Sequence, residues 1–109
     1  MARYKMIALS APVAGREADF VAWYRDQHIA DMLKVPGVSS ATRYALSHAM
    51  GTAPWRLMAE YEIETDDPAQ VLADLQSRLG GPQMPLTDAL DMNSIALFFA
   101  AAEGPAIAA

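Results

Sequence analysis

The chain has no cysteine. That absence excludes disulfides, thiolate metal sites and a cysteine nucleophile together. Histidine is scarce, at two residues, so a metal site built from protein alone would need carboxylates to complete it. Positive charge is short as well: 8 Lys+Arg stand against 13 Asp+Glu, a net charge of −5. A basic footprint for a phosphate backbone is missing, which argues against nucleic-acid binding. No apolar run approaches the roughly 18 residues of a membrane span. Two catalytic signatures are also absent. Gly80-Gly81-Pro82 lacks the Lys-Ser/Thr that would make a phosphate loop, and there is no Gly-x-Ser-x-Gly elbow.

What remains is a chain of 109 residues, 53% hydrophobic and only 19% charged, which suits one domain with a real core and excludes disorder. Arg3 and Lys5 before the apolar run Met6–Ala14 have a faint signal-peptide shape. A first β-strand over Tyr4–Leu9 explains the same residues, and a cytoplasmic protein is the expectation. Gly104-Pro105 closes an ordered domain of residues 1–103 and leaves 104–109 as a flexible tail.

Punctuation by glycine and proline divides the chain into six elements: a strand at Tyr4–Leu9, a helix at Glu17–Val35, strands at Val38–His48 and Trp55–Glu64, a helix at Pro68–Leu79 and a strand at Ser94–Ala101. Asp67 is the expected N-cap of the second helix, with Pro68 at its first position. Trp55, Leu57, Ala59, Tyr61 and Ile63 alternate with Arg56, Met58, Glu60, Glu62 and Glu64. The order βαββαβ predicts an α+β, ferredoxin-like domain, a four-stranded antiparallel sheet with two helices on one face. Met6–Leu9 and Ile95–Phe99 are apolar at consecutive positions, so both faces of those strands call for burial. A homodimer packed sheet on sheet is the economical solution, and a C-terminal tail folded over the open face is the alternative.

The first helix carries the candidate chemistry. At about 100° per residue, Tyr24, Arg25 and His28 fall on the arc that turns toward the sheet. Tyr24 and His28 are spaced i and i+4, so their side chains can meet. His28 is either a satisfied core histidine or the general acid/base of a pocket, with Tyr24 hydrogen-bonded to a substrate oxygen and Arg25 steadying a carboxylate or enolate. Tyr44 and His48 share one face of the second strand; if that face meets the helices, both contribute to the pocket. Trp55 and Asp88 complete the candidate substrate-binding set. Asp88 lies in the long connection Gly80–Asn93, which reads equally as a binding loop or as a short extra helix.

Phe20-Val-Ala-Trp23-Tyr24-x-x-x-His28, Val35-Pro36-Gly37-Val38 and Arg43-Tyr44 resemble the EthD-like members of the dimeric α/β-barrel superfamily. The resemblance implies a homodimer with two facing sheets, helices outside, and a cleft between sheet and helices. It implies activity without metal or organic cofactor, of the isomerase, cyclase or monooxygenase type, on a small apolar or aromatic carbonyl metabolite in a catabolic or secondary-metabolite pathway. A non-catalytic ligand-binding or accessory dimer is the alternative, and a purely structural interaction module a third. Other members of the wider superfamily bind haem, for which the helix histidine could serve as a ligand here, but no cofactor is the expectation.

Overall fold

The computed structural model describes residues 1–109. Strand β1 (Ala2–Ser10) leads into a helix built of α1 (Glu17–Trp23), a π-helical turn (Tyr24–His28) and α2 (Ile29–Met32), which follow one another without a break. Strands β2 (Val38–Ala45) and β3 (Leu57–Thr65), helix α3 (Pro68–Arg78), a 3₁₀ turn (Met92–Ser94) and strand β4 (Ala96–Ala100) complete the chain. The sheet is antiparallel throughout, in the order β2-β3-β1-β4. This is the ferredoxin-like α+β arrangement that the element order predicts.

Register decides which side chains meet the helices. Met6 lies opposite Tyr61 on one side and Phe99 on the other, and Ala41 lies opposite Tyr61. Leu57, Ala59, Tyr61 and Ile63 are all buried, as their alternation requires. They pack beneath Phe20, Tyr24, Met32, Val71 and Leu75 in one continuous core. At the start of α3 the Asp67 carboxylate accepts the backbone N–H of Gln70 at 3.2 Å, with Pro68 following as the first helical residue.

Several element ends differ from the sequence pattern by one or two residues, and two differ by three. The first helix stops at Met32 rather than Val35, because the N–H groups of Lys34 and Val35 turn back to the carbonyls of Asp31 and Met32 and tighten the last turn. Strand β2 ends at Ala45, and His48 lies beyond it in the hairpin loop with φ of +52°. Gly37, between the first helix and β2, has φ of +96°. A Cβ there would sit 3.1 Å from Val71 Cγ2 and 3.3 Å from the Glu64 carbonyl, so any other residue would be both strained and crowded.

The opposite sheet face has no helix over it. Ile7, Leu9 and Met58 lie half-buried on it, with Tyr44 and Phe98 exposed. At the other end of the same face Lys5 pairs with Glu60 at 2.7 Å and Glu62 at 2.8 Å. The C-terminal residues leave this face open: 101–109 are exposed, Ile107 almost completely. No helix is long and apolar enough to cross a membrane.

Candidate functional site

The π-helical turn builds the site. The Ile29 N–H reaches the Tyr24 carbonyl, five residues back, which widens the helix and adds one residue to that turn. Residues beyond it no longer follow a 100° wheel. Arg25, expected to face the sheet, is exposed, as is Val21 one turn before it, and its guanidinium clasps the neighbouring Asp26 carboxylate through two bonds, of 2.7 and 3.0 Å. Asp31 turns inward instead and accepts from Gln27 Nε2 at 2.8 Å.

Tyr24 and His28 are both buried, and their rings meet edge to face at 5.0 Å. On its other side the imidazole stacks on Trp23, with centroids 4.4 Å apart and planes 22° from parallel. The indole N–H donates to the Pro85 carbonyl at 3.1 Å, which ties this aromatic cluster to the connection following α3. That connection forms neither a loose loop nor a helix over Leu86–Met92. Met84, Ala89 and Leu90 are buried, and backbone bridges fix Met84 to Leu79 and Leu90 to Pro12.

His28 opens on a cavity of about 70 Å³ between the first helix, α3 and the sheet. Its other walls include Ser10, Leu75, Leu86 and Leu97, and no lysine or arginine lines it. Burial pushes the imidazole down to a pKa of about 4, against a weaker opposing pull from the Asp31 carboxylate. At neutral pH the ring is therefore uncharged. Its Nδ1 is sealed from solvent without a hydrogen-bond partner. Two more side-chain atoms are buried in the same condition, Ser10 Oγ and the Tyr61 hydroxyl. Burial also lifts the Tyr24 phenol above its ordinary range, opposed by the Tyr61 hydroxyl and the Arg43 charge. Tyr61, which burial and the neighbouring Tyr24 raise further, stays a neutral phenol too.

Of the residues singled out from sequence, the structure brings only Tyr24 and His28 together. Tyr44 is on the open sheet face, because register turns Arg43 rather than Tyr44 toward the helices. His48 stands with Trp55 in a separate hollow of about 320 Å³ at the hairpin, and the Trp55 indole donates to the Ser94 carbonyl at 2.8 Å. Asp88 pairs with Arg16 at 2.9 Å on the surface. The largest groove, about 480 Å³, lies along α1 between Phe20, Val21, Pro54 and Arg56 and contains none of these residues. It is wide open. The small His28 cavity, with its desolvated and unpartnered groups, is the better candidate site. No cluster of three or more metal-ligating side chains exists. Trp23, Ser10 and Tyr61 are the site residues that the sequence reading did not assign. Trp23 was within reach of it, being five residues before His28; Ser10 carried no signal beyond closing a strand.

No protein-family model and no curated protein sequence matches this chain. Among solved structures, the chain is similar to an ethyl tert-butyl ether D (EthD) family protein from Bacillus halodurans, at 19% sequence identity and a TM-score of 0.55. The match covers 92% of this chain and 98% of that one. From its first strand to its last, the chain has the fold of an EthD family protein.

Proposed function

We propose that this protein is a cofactor-free acid/base enzyme that moves a proton on a small apolar carbonyl compound, with His28 as the proton carrier. The observation that supports it best is a neutral, unpartnered imidazole buried against an apolar cavity. A base of pKa about 4 is weak toward water. In a desolvated cavity, however, the imidazolium that forms is stabilised by the anion it creates, since charge attraction is strong where the dielectric is low. A carbon acid beside a carbonyl gives its proton to His28, the electron pair moves into the carbonyl to form an enolate, and the neutral Tyr24 phenol hydrogen-bonds the developing oxyanion. Return of the proton to the same or another atom yields exchange or isomerisation.

The unpartnered sheet face supports a homodimer as the working form, with Ile7, Leu9, Phe98 and Tyr44 against their counterparts. The alternative reading is a binding protein without catalysis, which uses the same cavity of about 70 Å³ but needs no titrating histidine. One assay separates the two. The α-protons of 2-butanone in D₂O are followed by proton NMR with wild type and His28→Asn. Catalysed exchange that is lost in the variant supports the enzyme. Perturbation of the His28 resonances by butanone without faster exchange supports the binding protein.

A further inference from the structure

Ser10 ends β1 directly across the cavity from the helix that carries His28. Its backbone carbonyl accepts the N–H of Arg56 at 3.0 Å. The residue is only 5% exposed, and its Oγ is buried and makes no hydrogen bond. A buried hydroxyl without a partner is costly, and native proteins rarely leave one so. Ser10 lines the same cavity as His28, whose side chain is similarly deprived of partners. One wall of the cavity thus supplies a hydroxyl and the other an imidazole, and nearly everything between them is hydrocarbon.

From this placement, and resting on the reading of the His28 cavity as the ligand site, we infer that Ser10 is a further polar contact of that site beside Tyr24 and His28, and that the group it holds is an uncharged oxygen: a carbonyl, hydroxyl or ether. Size and charge both select that class. About 70 Å³ accepts a head of only a few heavy atoms, since an apolar cavity of roughly 150 Å³ is needed for a benzene ring. An anion would be buried with no lysine or arginine on the cavity wall to balance it. A neutral oxygen needs only a donor, which the Ser10 hydroxyl provides while the neutral imidazole is left to take the proton from the adjacent carbon.

Acetone and acetate, nearly equal in shape and opposite in this property, make the test. Each is titrated into the full chain and followed by amide and imidazole NMR shifts, for wild type, Ser10→Ala and His28→Asn. Acetone is expected to shift the signals of Ser10 and His28 together, and acetate to bind at least tenfold more weakly. Ser10→Ala should weaken acetone five- to tenfold, the worth of one hydrogen bond, while its melting temperature stays the same or rises. A purely structural serine would show the reverse: unchanged binding and lower stability. Unchanged acetone affinity in Ser10→Ala overturns the role of Ser10, and acetate binding equal to acetone overturns the ligand class. Loss of binding in His28→Asn with none in Ser10→Ala leaves the His28 site standing while the inference about Ser10 fails. Acetone shifting neither residue removes both.

Discussion

The indole of Trp23 lies flat against the imidazole of His28, 4.4 Å between ring centres, and the same indole is hydrogen-bonded to the Pro85 carbonyl. One side chain therefore both dries the histidine and holds the wall of its cavity in place. Trp23→Phe keeps an aromatic ring over His28 but loses the bond to Pro85. With the wall released, water should reach the imidazole, and its pKa should rise from about 4 toward the ordinary value of 6.5. A histidine-ring NMR titration of the variant checks this; a pKa still near 4 would show that the tie to Pro85 has no part in desolvation.

The depressed pKa of His28 also makes stability depend on acid. The unfolded chain protonates this histidine near pH 6.5, the folded chain only near pH 4. Between those values the unfolded state binds more protons, so stability is full above about pH 6.5 and falls as the pH drops toward 4. The loss at the lower end is about 3 kcal/mol. Urea unfolding at a series of pH values should show this slope in wild type. His28→Gln, which cannot titrate, should lack it, and a variant with the same slope would place its origin in the carboxylates.

Much of the fold was legible because it rests on local patterns. Leu57, Ala59, Tyr61 and Ile63 are buried as their period of two requires, and Asp67-Pro68 opens α3 as its residue types require. The site was only half legible. The spacing of Tyr24 and His28 brings them together, but the π-helical turn on which they sit has no mark in the sequence, and Arg25 beside them is exposed with Val21 on the outer side of the helix. A single register parity decided that Arg43 faces the helices and Tyr44 the open side, with an irregularity between Val38 and Ser40. The small cavity volume depends on how Leu86 and Leu90 pack, which no spacing rule contains.

The Tyr61 hydroxyl offers a sharper contrast with ordinary core mutations. It is fully buried and makes no hydrogen bond of ordinary length and angle, although the Tyr24 phenol lies close enough to act on it. Tyr61→Phe removes the desolvated oxygen and keeps the ring, so stability should hold or rise by up to about 1 kcal/mol. Chemical denaturation reads this directly. A loss greater than about 1 kcal/mol would mean that the hydroxyl is bonded to Tyr24 in solution.

Gly37 joins the first helix to β2, and both its conformation and its surroundings oppose a side chain. At φ of +96° an L-residue is strained, and an added Cβ meets Val71 Cγ2 at 3.1 Å and the Glu64 carbonyl at 3.3 Å. The carbonyl belongs to β3 and accepts no displacement without disturbing the neighbouring bond from the Glu64 N–H to the Gly37 carbonyl, 2.9 Å long. Gly37→Ala should therefore cost about 2 to 3 kcal/mol, the sum of backbone strain and local crowding. Gly15, at a similar φ of +82° with nothing within 4 Å of its added Cβ, is the control. Gly15→Ala should show the strain alone, about 1 kcal/mol. Equal losses in the two variants, measured by urea unfolding, would assign the whole effect to φ and none to the contact with Val71.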